Sequence, residues 1–485
     1  MKIKFSCSAL LCVCLLAAAL ALPASAAGAT PCDCGEVVHV WVEGFGSSLY
    51  YNEGTPEEIR AEQFVTDNIM SDLPGVFTGA AKTLQTLSWE PLAEGLSDVF
   101  LGIMGQWQLD EYGNSIAPLS SNWKIDPEQD HRTQPKYNFR YDFRIDPFDA
   151  AAQLNEFIET LCKQTGHSKI ALIGESQGAC TAMTYVKEYG TKRLDSLVII
   201  NGAWQGLTLV GQLFTKQFDV SGPALVNYLS NGDDGGLLPA GLDVLRAAGL
   251  LDFVSPLSHV LYRVLAPTVF PRALLPVFGQ MPAIWTFVPD EYYRDAVNAI
   301  LGNDPKYDVL RARIDKYHYE VMTQAPALVK KAMKDGVKVS IIASYGMAPM
   351  PFTPDSAYQS DGLIDSAREA GGATYAPLGQ ALPPSDSKYR SPDGVFDAAT
   401  CLLPDQTWFI KYNDHDAGAG RDLIQWIIHS KKQPTVWQNP DYPQYLQRTE
   451  DKKAIPLGVE PPPAPPASLP EANWAFTQAL LGQVF

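Results

Sequence analysis

The chain has 485 residues, of which 46% are hydrophobic, and a formal net charge of −17. This length and hydrophobic share allow a large core, so the fold does not need a disulfide scaffold. The acidic balance repels phosphate backbones and no Lys/Arg-rich run opposes it, which excludes nucleic acid as a partner. The same charge excludes passive attraction to anionic lipid, so any membrane contact must be apolar and local.

The first residues have the pattern of a cleaved signal peptide, residues 1–26. Lys2 and Lys4 precede an apolar run from Ala9 to Leu22, and small residues follow at 24–26. The alternative is a membrane anchor, but the run is short for a bilayer span and no stop-transfer pattern follows it. We therefore predict a secreted or extracytoplasmic protein.

Five cysteines remain after the predicted cleavage, namely Cys32, Cys34, Cys162, Cys180 and Cys401. An odd number in an exported chain leaves at least one cysteine free or paired with another molecule. No Cys/His grouping has the spacing of zinc ligands along the sequence. We therefore predict no metal site.

Strand and helix patterns alternate over residues 36–206, which indicates a mainly parallel sheet flanked by helices. Residues 51–136 interrupt this alternation as an irregular insertion that could lie over the site. The predicted elements are strands at Glu36–Val42, Asn138–Arg144, Lys169–Ile173 and Leu197–Asn201, and helices at Pro147–Thr165 and Gln177–Tyr189.

The strand pattern stops after Trp204 for about 130 residues. We interpret residues 207–335 as a mostly helical cap or lid inserted between two strands of the sheet. The second part of the core covers residues 336–430, and residues 431–485 form a C-terminal extension with a Pro-rich spacer. The elements predicted for the second part are strands at Val337–Tyr345 and Thr407–Tyr412 and a helix at Arg421–His429.

A G-x-S-x-G pattern at residues 174–178 follows a buried predicted strand and precedes a predicted helix. This pattern places a serine at the apex of a sharp, strained turn, and its glycines let neighbouring backbone pass close by. The alternative is a glycine-flanked loop serine. The flanking strand and helix favour Ser176 as a nucleophile.

A serine hydroxyl needs a histidine base, and the histidine needs a carboxylate that fixes its tautomer. On an α/β-hydrolase fold the order along the chain is serine, acid, histidine. Of the later histidines, His259 and His318 fall in the cap and His429 lies inside a predicted helix. His415 directly follows the predicted strand Thr407–Tyr412, so we predict that it is the base; the alternative is a loop histidine beside a helix cap.

Three carboxylates follow the predicted strand Val337–Tyr345, namely Asp355, Asp361 and Asp365. Asp361 stands in Ser-Asp-Gly-Leu-Ile, a tight turn before apolar residues, and we choose it as the acid. Asp365 is the alternative, although it could instead cap the helix that follows.

A developing oxyanion requires two backbone N–H donors. One belongs to the residue after the nucleophile, Gln177. The second is predicted at Phe45, in the glycine-rich turn after the first strand, because that turn faces the nucleophile in this fold. Gly44 and Gly46 could also serve only a tight turn.

Several segments together resemble the lecithin:cholesterol acyltransferase-like lipases. Tyr141-Asp142-Phe143-Arg144 resembles that family's Tyr-Asp-Trp-Arg block, and the nucleophile turn is similar to its own. The matches run in order from about residue 36 to 430. The remaining similar segments are Gly202–Gly206, Met281–Trp285 with Val288-Pro289, and the acid turn at Asp361.

The resemblance implies acyl-ester chemistry on lipids with the cap acting as a lid, and it supports Ser176, Asp361, His415, Phe45 and Gln177 in the roles above. Four departures affect substrate identity and the second oxyanion donor. Glu175 stands where the family usually has His, Glu43 where it usually has Pro, and Phe143 where it has Trp, and the early turn is one residue shorter.

We predict an α/β-hydrolase fold with a large helical cap, and a secreted serine hydrolase that acts on lipid acyl esters by hydrolysis or acyl transfer without a cofactor. Apolar stretches at Val264–Phe278 and Met281–Val288 suit an acyl-chain pocket, contact with a membrane surface, or ordinary helix packing equally well. Two alternatives remain: a short-chain carboxylesterase on the same fold, and a secreted binding protein that has lost catalysis.

Overall fold

A computed structural model describes residues 31–46, 49–61, 82–83, 85–86, 88–231, 250–354, 356–415 and 418–458. The predicted signal peptide and the Pro-rich spacer lie outside these residues. Eight strands form the central sheet in the order β13-β12-β11-β8-β7-β6-β1-β5. All neighbours pair in parallel except β12 and β13 at one edge.

The sheet strands are β1 (His39–Val42), β5 (Lys136–Phe139), β6 (Ile170–Glu175), β7 (Leu194–Ile200), β8 (Lys338–Tyr345), β11 (Thr407–Lys411), β12 (Tyr445–Arg448) and β13 (Ala454–Pro456). Short strands outside this sheet are β2 (Tyr50–Tyr51), β3 (Ile59–Arg60), β4 (Leu119–Ser120), β9 (Thr374–Tyr375) and β10 (Phe396–Asp397).

The helices are α1 (Glu90–Met104), α2 (Pro147–Thr165), α3 (Gln177–Tyr189), α4 (Thr208–Phe214), α5 (Gly222–Leu229), α6 (Val254–Val269), α7 (Asp290–Ile300), α8 (Asp308–Tyr317), α9 (Ala325–Lys334), α10 (Ser366–Glu369) and α11 (Arg421–His429). Short 3₁₀ and π-helical turns extend or connect several of them.

Both faces of the sheet are covered, as the strand sequences require. Successive side chains of a strand point to opposite faces. Ile170 and Leu172 of β6 therefore join the core beneath α2 and α3, whereas Ala171 and Ile173 join a second core beneath α11. Strands that are buried on both faces have continuous apolar sequences, and such apolar runs were the pattern from which these strands were predicted.

Local sequence fixes the helix ends. The Asp146 side chain accepts a hydrogen bond from the Phe148 N–H, Pro147 occupies the first helical position, and Gly166 closes α2 in a left-handed conformation. The predicted bounds of α2, α3 and α11 agree with the structure.

Among the predicted bounds that differ from the structure, two are wrong by the largest margins. The strand predicted at Asn138–Arg144 is β5, which ends at Phe139, because Arg144 folds back onto the Asp142 carboxylate in a turn. The core does not end at residue 430, because β12 and β13 extend the sheet from the segment predicted as a C-terminal extension. β12 is a short strand, Tyr445–Arg448, without a β-branched run, so its sequence carries little strand signal.

Every element described between residues 207 and 335 is helical. Met281–Val288 is buried throughout, so this stretch packs as ordinary core. In the described part of the chain, Val254–Gly279 is the single helical stretch long and apolar enough to cross a membrane, judged by length and composition alone. Most of its side chains are not buried in the protein.

Candidate active site

Ser176 lies at the turn between β6 and α3, at the carboxyl end of a central strand. Its φ of +53° is unusual for a residue with a side chain, so the backbone is strained at this position. The strain is held by hydrogen bonds on both sides of the turn, from the Ser176 N–H to the Ile200 carbonyl and from the Ala203 N–H to the Ser176 carbonyl. The hydroxyl is thereby fixed at the apex of the turn.

The glycines around Ser176 are required by close backbone approach. A Cβ on Gly178 would stand 2.1 Å from the Val42 carbonyl oxygen, and a Cβ on Gly174 would stand 2.7 Å from the Ala179 Cα. Both neighbours are backbone atoms that cannot rotate away. The spacing of the motif therefore follows from how tightly β1 and α3 pack around the turn.

The structure brings Ser176, His415 and Asp361 together from three distant segments. His415 Nε2 lies 2.9 Å from Ser176 Oγ, and His415 Nδ1 lies 2.5 Å from Asp361 Oδ2. The His415 N–H also donates to the Asp361 carbonyl, which ties the two loops together. This is the geometry of a nucleophile, a base and an acid that orients the base; the catalytic roles stay a prediction.

The environment of Asp361 keeps it ionised although it is fully buried. Burial alone would raise the pKa of Asp361, but His415 and a hydrogen bond from the Ile364 N–H hold that pKa below its ordinary value. The second oxygen of the carboxylate accepts the N–H groups of Leu363 and Ile364 at 2.9 and 2.7 Å. The tight turn predicted here thus orients the acid.

Glu369 is a second carboxyl group behind Asp361, which sequence reasoning did not identify. Burial first, and then the negative charge of Asp361, raise the pKa of Glu369 well above its ordinary value. The fold therefore favours the neutral form of Glu369, and one of its oxygens accepts the Ser344 N–H at 2.7 Å. A neutral carboxyl beside the acid avoids the repulsion that two buried carboxylates would create.

A buried polar chain supports the loop that carries His415. The Asn413 side-chain amide donates to Ser344 Oγ, and the Ser344 hydroxyl donates to Asn201 Oδ1, each at 2.8 Å. This chain links the ends of β7, β8 and β11. A histidine held by such a network has little freedom to leave the nucleophile.

The alternative residues lie elsewhere. Asp365 begins α10, but its carboxylate accepts the Thr208 N–H at the start of the cap instead of capping α10. His259 pairs with Asp219 and His318 stacks on a tyrosine within the cap. Asp355 lies outside the described residues.

The predicted oxyanion donors flank Ser176. Gln177 is the first residue of α3, so its N–H has no acceptor within the helix, and its side chain is held by the Phe143 carbonyl at 2.7 Å. Gly44 lies against the nucleophile, because a Cβ there would stand 2.9 Å from Ser176 Cβ. The turn that carries Phe45 is thus beside Ser176, as an oxyanion donor would require.

A cavity of about 650 Å³ opens at Ser176 and His415. Its lining includes Glu43, Lys136, Glu175 and Arg421, so one wall is charged. Burial raises the pKa of Glu43, while Glu175 is fixed by a hydrogen bond from the Trp41 indole at 2.7 Å.

Phe45 forms an apolar part of the same cavity. Its ring packs against Phe143, Trp107 and Phe287, with ring centroids 4.7, 5.9 and 6.0 Å apart. Phe143 is therefore part of an aromatic cluster with Phe45 and Trp107. The cavity lining thus includes both charged side chains and the Phe45 ring.

Comparison with known proteins identifies the fold. A family profile described as alpha/beta hydrolase fold matches residues 109–221, the segment that contains the Ser176 turn. Among solved structures, a chain in the crystal structure of the Tle4–Tli4 complex is similar at 12% identity and a TM-score of 0.23, over 63% of this chain and 74% of that chain. No curated protein matches. The predicted α/β-hydrolase fold is confirmed.

Proposed function

We propose that the protein is an extracytoplasmic serine hydrolase that acts on lipid acyl esters through an acyl-enzyme. The observation that carries the proposal is the contact of His415 with both Ser176 Oγ and Asp361, at the mouth of a cavity and on a fold that supports hydrolase activity. A Ser-His-Asp arrangement with a strained serine is suited to acyl transfer.

In the proposed mechanism, His415 takes the proton of Ser176 as the hydroxyl oxygen attacks the ester carbonyl. Asp361 keeps His415 in the correct tautomer and stabilises the imidazolium that forms. The N–H groups of Gln177 and Phe45 stabilise the oxyanion, and His415 then protonates the leaving alcohol. Water or an acceptor alcohol, deprotonated by His415, releases the acyl group from Ser176.

An amphiphilic substrate is supported by the composition of the cavity wall. Phe45 in the cavity lining suits contact with an acyl chain, whereas the charged Glu43, Lys136 and Arg421 of the same lining suit a polar head group. The exposed apolar helix of the cap adds a surface for contact with lipid. A short-chain carboxylesterase would need neither the apolar contact at Phe45 nor the exposed apolar helix.

The test compares ester substrates of increasing acyl length, from acetyl to palmitoyl, with mixed phospholipid and sterol vesicles analysed by lipid mass spectrometry. We expect long acyl esters to be preferred, Ser176→Ala and His415→Gln to be inactive, and His259→Gln, which changes a cap histidine paired with Asp219, to remain active. A strict preference for acetyl or butyryl esters would contradict the lipid substrate. Full activity of Ser176→Ala would contradict the mechanism.

A further inference from the structure

Two cysteines and two histidines lie close together near the amino ends of the sheet strands, opposite the end that carries Ser176. Cys32 Sγ lies 3.2 Å from His131 Nε2, and Cys34 Sγ lies 3.6 Å from His167 Nε2. The ligand atoms of Cys32, Cys34 and His131 all lie within 4.8 Å of one another. His167 stands beside this group of three, with its ring 5.1 Å from the His131 ring and its Nε2 in contact with Cys34.

Topology explains why residues so distant in sequence converge. Cys32 and Cys34 precede β1, His131 precedes β5, and His167 precedes β6. These three strands are neighbours in the sheet and run parallel, so their amino ends share one edge. Ser176 and His415 follow the carboxyl ends of their strands, so the cluster is separate from the candidate active site.

Backbone contacts hold the three segments in place. The Cys32 N–H donates to the Gly166 carbonyl at 3.1 Å, which joins the chain before β1 to the end of α2. The Gln164 side chain donates to the Asp126 carbonyl at 3.3 Å, which joins α2 to the loop that carries His131. These hydrogen bonds fix the positions of the segments that carry the four side chains.

We propose that Cys32, Cys34, His131 and His167 bind one Zn²⁺ ion as a structural site. In a tetrahedral site with Zn–S and Zn–N distances of about 2.3 and 2.0 Å, sulfur and nitrogen ligands stand roughly 3.5 Å apart, and the two Sγ–Nε2 distances bracket this value. Two thiolates and two imidazoles are a ligand set that suits zinc.

Binding releases the two thiol protons to solvent and leaves a neutral complex, because each thiolate cancels one charge of the ion. All four side chains are only partly buried, and a cavity lined by Cys32 and His167 gives the ion a path from solvent. The role of the ion is to tie the chain before β1 to the starts of β5 and β6. The sequence predicted no such site because the ligands are separated by about 100 and 35 residues.

The test uses the purified, reduced full-length chain, titrated with Zn²⁺ against a competing chelator. We expect one tightly bound ion per chain, and sulfur-to-metal charge-transfer absorption when Co²⁺ replaces it. His131→Asn and His167→Asn should weaken binding at least about 100-fold. His429→Gln is the matched control, because His429 lines the same cavity but its imidazole bonds Gln425 and faces Glu36.

A second measurement on the unaltered chain does not depend on how the variants fold. Bound Zn²⁺ should protect Cys32 and Cys34 from alkylation, as read by peptide mass spectrometry, and should raise the midpoint of thermal unfolding. Binding of well under one ion per chain would overturn the proposal. The proposal would also be overturned if His131→Asn bound Zn²⁺ as tightly as His429→Gln. A third contradicting result is that Cys32 and Cys34 form a disulfide equally fast with and without Zn²⁺.

Discussion

At the scale of single residues, the candidate site depends on how the surroundings of Asp361 set its ionisation and that of Glu369. Asp361 and Glu369 are both fully buried, yet their pKa values move in opposite directions. His415 and backbone N–H groups favour the ionised form of Asp361, and this charge in turn disfavours ionisation of Glu369. The two groups therefore favour opposite forms, with the negative charge on Asp361 beside His415.

Glu369→Gln tests this arrangement through the pH dependence of stability. The pKa of Glu369 is higher in the folded protein than in the unfolded chain, so Glu369 lowers stability as the pH rises above its unfolded pKa. We expect Glu369→Gln to raise the free energy of unfolding at pH 7 relative to the wild type and to have little effect near pH 4. Urea unfolding at the two pH values measures both.

The same variant should retain ester hydrolysis within about threefold, since an amide can still accept the Ser344 N–H and remains neutral. Glu369→Ala is the comparison, because it leaves the Ser344 N–H without this acceptor and opens space behind Asp361. An equal loss of activity in Glu369→Gln and Glu369→Ala would contradict a neutral Glu369.

Residue-scale contacts also limit what the sequence can reveal. The G-x-S-x-G pattern and the order serine, acid, histidine pointed to Ser176 and His415, which directly follow predicted strands. They pointed less sharply to Asp361, for which Asp365 stayed an alternative. No such pattern marks Glu369 or Asn413. Their positions depend on contacts with residues far away in the chain, which no local pattern encodes.

At the scale of elements, the packing of α3 against β1 determines the nucleophile turn. We expect Gly178→Ala to lower stability by about 1–3 kcal/mol or to prevent folding, because the new methyl group meets the Val42 carbonyl. The measurement is the urea midpoint. Gly105→Ala is the matched control, since its nearest contact would be 3.4 Å. Equal midpoints for the two variants would contradict the close packing.

The exposed face of α6 gives a prediction about lipid contact. Leu257 and Val260 are 57% and 49% exposed. If this helix contacts lipid, Leu257→Ser with Val260→Ser should lower the rate on vesicles about tenfold, the loss expected from two apolar contacts, and leave the rate on a soluble ester unchanged. Val309→Ser on α8 is the control. An unchanged vesicle rate would place lipid contact elsewhere.

Predicted elements were most accurate where local chemistry marks their ends. Pro147 and Gly166 mark α2 in the sequence, and the structure agrees. The strand predicted at Asn138–Arg144 ends earlier, at Phe139. The aromatic residues after Phe139 are typical of a strand, while the Asp142–Arg144 ion pair, formed only in the turn, is not visible in a pattern. Tertiary contacts overrode propensity there.

At the scale of the whole molecule, one sheet carries two separate clusters of side chains at the opposite ends of its strands. The carboxyl ends of the strands present Ser176 and His415, and the amino ends present Cys32, Cys34 and His131. The alternation of strands and helices allowed the fold class to be predicted. The second cluster was not predicted, since it requires knowledge of which strands are neighbours.

The central claim is that His415 activates Ser176 in the folded protein. The most direct measurement is the rate at which a fluorophosphonate labels Ser176, located by peptide mass spectrometry. We predict rapid labelling of Ser176 in the wild-type chain, a rate at least roughly 1,000-fold lower in His415→Gln, and an unchanged rate in His259→Gln. Folded wild-type protein in which Ser176 stays unlabelled, or is labelled equally fast without His415, would contradict the account.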